Sequence, residues 1–328
     1  MTSMLPLALD AMGGDKAPGE IVAGAIRAHA ECGIPVVLVG RSAEFGDLHG
    51  LPVIEASEVI EMDEDAAGGV RRKKDSSLVR CAEAVRDGKA SAMVSAGNTG
   101  ATMASALFRM GRIKGVNRPA IATPIPVPGG TPTVLLDAGA NAEVQADWLV
   151  QFAQMGSVYA SKRFGIAVPR VGLLSIGEEP GKGDTLRKEA FELLSVASGI
   201  NFVGNVEGRD IMTPDIDVVV TDGFTGNVVL KALEGGVKTI VKSLLAAFAS
   251  KPEYKEHSDA LLPALLELYA TLDPETYGGA MLLGVDGVCI ISHGSSSATA
   301  IVNALKVGSD MVQADLVGAL RVALAPTP

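Results

Sequence analysis

The sequence predicts an α/β fold, a doubly wound and mostly parallel sheet with helices on both faces. Three observations carry this. Short β-rich runs recur from end to end and stop at Gly or a small polar residue; helical patterns with three and four spacing separate them; and 48% hydrophobic residues with only 4% aromatics leave Ala, Val, Leu and Ile to build the core. In such sheets ligands bind beyond the carboxyl ends of the strands, at a topological switch point.

The first unit is the apolar run Leu5 to Leu9, which ends in DAMGGD at 10–15. Paired glycines after a strand make a tight turn and admit a ligand close to the backbone, although an ordinary connection reads the same way. Pro18 opens a helix over PGEIVAGAIRAHAE. Further strands are predicted at PVVLVG 35–40, SAMVSAG 91–97, TVLLDAGA 133–140, RVGLLSIG 170–177, DVVVTDG 217–223 and VCIISHG 288–294. Helices are predicted at SSLVRCAEAVRDGKA, AEVQADWLVQFAQMGSVYASKRFG and DTLRKEAFELL. From Thr225 to Tyr277 nothing strand-like intervenes, and two helices joined by KPEYKEH predict a hairpin standing off the sheet with a face for a second subunit.

The 328 residues are expected to form a single domain, 1–328. A formal charge of −10 argues against nucleic acid and against an anionic membrane surface, so an anionic ligand must meet a local basic patch. Cys32, Cys81 and Cys289 lie far apart in apolar patterns and are expected to be reduced, buried thiols of a cytoplasmic protein. The start, MTSMLPLALD, lacks the pattern of a signal peptide. The uncharged runs 90–108, 119–136 and 287–305 are rich in Gly, Pro, Ser, Thr and Asn, which suits strand-to-helix transitions and not a membrane span.

Five strand ends carry small or polar groups: Asp10 with Gly13, Gly14 and Asp15; Ser95 with Gly97, Asn98 and Thr99; Asp137 with Gly139 and Asn141; Asp222 with Gly223; His293 with Gly294 and Ser295. Each alone is a common turn or cap, but five on one rim predict a site. Glycine turns before helices offer free N–H groups and a positive dipole end to phosphate. No GxGxxG follows a strand, and GEEPGKGD at 177–184 is one residue short of a P-loop. The run RRKKDSS at 71–77 precedes a helix start, and beyond a plain solvated loop it suits either free phosphate or an acidic carrier protein. The four histidines, His29, His49, His257 and His293, have no ligand spacing, so no metal is expected; His293, at a strand end, is the functional candidate. HGSSS at 293–297 is not a nucleophile elbow, and its serines cap the last helix. A rim of anion receptors, carboxylates and amides suits a transfer in which the anionic substrate is itself the nucleophile, such as phosphate attacking an activated acyl group.

DAMGGD 10–15, RRKKDSS 71–77, SAGNTGA 95–101, LDAGAN 136–141, GEEPGKG 177–183, TDGFTGNVVLK 221–231, YGG 277–279 and HGSS 293–296 together resemble the bacterial phosphate acyltransferase (PlsX) family. The resemblance implies an acyl-ACP:phosphate acyltransferase, making acyl phosphate for phospholipid synthesis from fatty acyl carrier protein and inorganic phosphate, with no cofactor. It implies an α/β/α sandwich of the isocitrate and isopropylmalate dehydrogenase type. It also implies a cytoplasmic homodimer, peripherally membrane-associated, that passes its product to a membrane glycerol-3-phosphate acyltransferase. A helical hairpin at about residues 238–272 would make dimer and membrane contact, though Leu261, Leu262, Leu265 and Leu266 suit a dimer bundle equally well. Within this family the chemistry assigns Gly13, Gly14, Lys73, Lys74, Ser76 and Ser77 to phosphate, and Asn98 and Thr99 to the thioester oxyanion. Asp15, Asp137, Asp222 and His293 are candidates for orienting phosphate or protonating the thiolate, with Asn141, Lys182 and Asn227 completing the rim. Two other readings stay open: an NAD-dependent decarboxylating dehydrogenase on the related fold, which tight NAD binding would favour, and a non-catalytic membrane-associated scaffold of lipid synthesis, which would show no turnover.

Overall fold

The computed structural model describes residues 4–325; of the start MTSMLPLALD, the first three residues lie outside them. Every strand and helix expected from the sequence is present. The order is β1 (Leu7–Asp10), α1 (Gly19–Cys32), β2 (Val36–Gly40), β3 (Val53–Glu55), α2 (Ala66–Arg72), α3 (Ser77–Arg86), β4 (Ala92–Ser95) and α4 (Thr99–Arg109). There follow β5 (Ala120–Ile125), β6 (Thr133–Leu136), α5 (Ala146–Phe164), β7 (Arg170–Leu174), α6 (Thr185–Val196), β8 (Asn201–Val206) and β9 (Val218–Val220). The chain ends with α7 (Gly223–Phe248), α8 (Lys255–Leu272), β10 (Ala280–Leu283), β11 (Val288–Ile291), α9 (Ala298–Gln313) and α10 (Leu316–Ala323).

All of these strands belong to one sheet, in the order β3-β2-β1-β4-β11-β10-β5-β6-β9-β7-β8. The first five run parallel. Then β10 opposes β11, β5 opposes β10 and β6 opposes β5, and the last four run parallel to one another. Three successive reversals leave the two parallel wings pointing in opposite directions.

This corrects the single rim expected from the sequence. The strand ends at Asp10, Ser95 and Ile291 lie on one edge of the sheet, and those at Leu136, Leu174 and Val220 lie on the other. Strand polarity is set by β5, which proline interrupts, and by β10, which has only four residues, so neither announces itself in the sequence.

Alternation assigns the faces. In β1, Leu7 and Leu9 enter a core covered by α1, α5, α6, α9 and α10, while Ala8 turns to the opposite face under α2, α3 and α4. Leu9 and Leu136 are fully buried, where truncation to alanine typically costs about 2–5 kcal/mol. On that second face Leu135 and Ile125 form a further cluster against α7, and Leu230 of α7 packs on both clusters. The helices α4 and α7 therefore lie on the same face, with β10 and β5 between the two wings beneath them.

Candidate active site

The loops after β1, β4 and β11 converge because their strands are adjacent. Asp10 ends β1 wholly buried and accepts from the Ser95 hydroxyl at 2.7 Å and the Met12 amide at 3.2 Å. Burial pushes its carboxyl up from the ordinary value, against the hydroxyls of Ser77 and Ser95 and the amides of Met12 and Gly13. Ser95 passes the chain on by accepting from the Gly97 amide at 2.9 Å. Gly13, also buried, lies against Gly97, and Gly14 has φ +109° with 3.1 Å between an added Cβ and the carbonyls of Ala96 and Gly294. No other residue fits that conformation in that space. The Asp15 amide then donates to the Gly294 carbonyl at 2.8 Å, stitching the first loop to the last. Exposed His293 stands in the same loop, its Nδ1 2.8 Å from the Ser295 hydroxyl.

Asn98 caps α4, accepting from the Ala101 amide at 3.0 Å, and its Nδ2 donates to the carbonyls of Met62 at 2.9 Å and Glu64 at 3.1 Å. Its side chain is thus occupied in holding the 61–64 loop against the start of α4. The first exposed group of the helix is Thr99, whose backbone N–H belongs to the positive end of the dipole.

The basic run divides. Lys73 donates to Glu64 at 2.6 Å and to the Val59 carbonyl at 2.7 Å, and Lys73 draws the Glu64 carboxyl below its usual value. Lys74 does not join it, but lines a surface concavity with Val70, Arg71, Phe108 and Arg109, beside the last turn of α4. The two lysines are consecutive just after α2 ends and meet different surroundings, Lys73 held by Glu64 and the Val59 carbonyl, Lys74 on the surface concavity. Ser76 and Ser77, at the start of α3, are buried, and Ser77 lies within reach of Asp10.

The second group sits at the opposite edge. Asp137 accepts from the amides of Ile121, Gly139, Ala140 and Asn141 and from the Asn141 side chain, at 2.8–3.1 Å. Burial pushes its pKa up against these donors. Asn141 also donates to the Pro119 carbonyl at 2.8 Å. Asp222 caps α7, accepting from the Thr225 amide and hydroxyl, both at 2.8 Å. Burial acts to raise its carboxyl, but Thr225 and the Arg187 guanidinium prevail and hold it below its usual value. Arg187 pairs with Asp222 and with Asp184, the latter at 2.9 Å. Asn227 is exposed beside Gly139, and Lys182 is exposed on the 177–184 loop.

Of the residues singled out by sequence, Gly13, Gly14, Asp15, Asn98, Thr99, Ser77 and His293 come together; Asp137, Asn141, Asp222 and Asn227 form the separate second group. The sequence reading names Asp10 among the strand ends but assigns it no role, and it does not name Arg187. Asp10 closes the apolar run LALD, where a carboxylate must find internal partners; Arg187 follows its capping Asp184 by three residues, a pairing spacing. Chemically, the first group offers helix-start amides beside a carboxylate and an imidazole, a receptor for an oxyanion. Among the described residues no cluster of three His, Cys, Asp or Glu could hold a metal.

A family model described as fatty acid synthesis protein matches residues 5–318. The chain is 49% identical to the phosphate acyltransferase of Pelotomaculum thermopropionicum, over 97% of this chain and 94% of that one. It is 50% identical to the phosphate acyltransferase of Heliobacterium modesticaldum, over 96% of each. Among solved structures it is similar to a phosphotransacetylase from Streptococcus pyogenes, with a TM-score of 0.63 at 17% identity over 95% of both chains. A 4-hydroxythreonine-4-phosphate dehydrogenase from Klebsiella pneumoniae has a TM-score of 0.53 at 12% identity, over 95% of this chain and all of that one. At those identities the solved structures speak for the fold alone.

Proposed function

This chain belongs to the fatty acid synthesis protein family and is an enzyme of acyl transfer to phosphate, and on that premise we propose that its donor is the thioester of fatty acyl carrier protein. A phosphate oxygen attacks the thioester carbonyl, the C–O bond forms as the C–S bond breaks, and the products are acyl phosphate and the carrier thiol, whose sulfur takes up a proton. The reaction needs no nucleotide and feeds phospholipid synthesis.

The observation that carries this reading is the meeting of the β1, β4 and β11 loops at the start of α4. In our assignment the Gly13–Gly14 turn, with Ser76 and Ser77 supporting it from α3, and the first amides of α4 receive phosphate and the developing oxyanion. Asn98 positions that helix start, and Thr99 presents it. Asp15 and His293 orient phosphate and supply the proton to sulfur; the low basicity of a thiolate makes strong acid catalysis unnecessary. Asp137 and Asp222 act as loop and helix organisers, since their oxygens are already engaged. Asn141 and Asn227 stay with the second group at the opposite edge of the sheet, and Lys182 stands exposed on the 177–184 loop.

The remaining proposals concern assembly. Helix α8 buries none of its residues, α7 buries only Gly223 and Gly226, and Ile240, Leu261 and Leu266 are more than half exposed. That supports a projecting pair, about 238–272, covered by a second subunit in a homodimer. No described helix is long and apolar enough to cross a membrane; peripheral membrane association and delivery to a membrane glycerol-3-phosphate acyltransferase follow from the family reading.

The test supplies purified protein with long-chain acyl carrier protein and radiolabelled phosphate, and follows the label into acyl phosphate. Product is expected without nucleotide; its absence overturns the reading. Asn98→Ala should lower turnover by about 10²-fold, the scale of a misplaced site element, and full turnover in that variant would remove Asn98 from its positioning role.

A further inference from the structure

We propose that the concavity between the end of α2 and the last turn of α4 is the docking surface for the acidic carrier protein that delivers the acyl chain; this rests on the donor proposed above. It is lined by Val70, Arg71, Lys74, Phe108 and Arg109. The neighbouring cations are spent internally, Arg72 and Lys73 both on Glu64. Arg71 and Lys74 are exposed and have no carboxylate partner among the described residues. The Arg71 guanidinium instead lies over the Phe108 ring, 5.6 Å from its centroid, and that ring is 45% exposed.

An arginine stacked on an exposed aromatic, with an unpaired lysine beside it, is the composition of an interface anchor. On a chain of formal charge −10 the rest of the surface repels an acidic protein, so a local positive face decides where such a partner lands. Free phosphate fits less well, because these groups stand on open surface and do not converge on buried donors. The position also suits delivery: Phe108 follows Thr99 by nine residues on one helix, about 14 Å along its axis, leaving the oxyanion receptor to a thioester carried on a flexible arm.

The experiment measures steady-state kinetics with acyl carrier protein and, separately, with the acyl-pantetheine thioester. Arg71→Glu is expected to raise KM for the carrier thioester about tenfold, with the difference shrinking as salt rises, while the small thioester and the KM for phosphate are unchanged. Phe108→Ala should act in the same direction, and Arg71→Lys should restore most of the carrier KM. An unchanged carrier KM in Arg71→Glu, or equal losses with both thioesters, overturns the proposal. So does loss of binding to phosphatidylglycerol vesicles with carrier kinetics intact, which would make the patch a membrane face. If the wild-type protein turns over neither thioester, the donor reading itself has failed, an outcome distinct from any defect confined to the variants.

Discussion

Arg187 joins three elements through one guanidinium: the start of α6 through Asp184, the end of β9 through Thr221, and the start of α7 through Asp222 and Thr225. The Asp222 carboxylate is buried, so removing the arginine leaves its charge with neutral donors alone, the Thr225 amide and hydroxyl and a long bond from the Thr221 hydroxyl. Breaking a buried pair in this way costs about 3–5 kcal/mol, which is the loss expected for Arg187→Ala by urea unfolding near pH 7. Its pH dependence follows from the lowered pKa of Asp222. Stability from the ionised carboxylate is fully present above its ordinary value of 3.8 and is lost as pH falls below it. The gap between wild type and variant should therefore close in acid, and a gap that stays constant with pH would mean that Arg187 contributes packing alone.

Among the elements, the helix starts are what the sequence made readable. DTLRKEAFELL predicts α6, which begins beyond Asp184, and HGSSS predicts a cap for α9, which Ser297 supplies by accepting from the Ala300 amide at 3.3 Å. The strands β3, β5, β8 and β10 were not legible. They are short or interrupted: β3 has three residues, β5 contains Pro124 and β8 contains Gly204. Periodicity needs length, and four residues of AMLL read equally as helix. The close seating of α7 depends on one such unpredicted contact. Gly226 passes so near Asp137 that an added Cβ would overlap the Asp137 carbonyl oxygen. Gly226→Ala is expected to lower the thermal midpoint by several degrees or prevent folding, although alanine is the better helix former in isolation. An unchanged midpoint would show that α7 can shift without loss.

For the whole molecule, the core makes a prediction about thiols. The sequence placed all three cysteines in apolar patterns, but Cys32 ends α1 exposed, while Cys81 and Cys289 are fully buried. Burial pushes Cys289 up to about 12 and Cys81 well above its ordinary range, so neither forms thiolate at neutral pH. The folded protein should release one equivalent of thionitrobenzoate rapidly, and the denatured protein three, as the three cysteines require. Rapid release of a second equivalent from native protein would place one of the buried thiols outside the core. The sequence alone determined the α/β class, the places where helices begin, and the residue types able to receive an anion, because each depends on neighbours within one or two turns. Only the tertiary structure decided which of those residues meet. The reversal of β10, β5 and β6 is a matter of pairing between segments far apart in the chain, and it sends Asp137 and Asp222 to one edge while Asp10, Asn98 and His293 share the other.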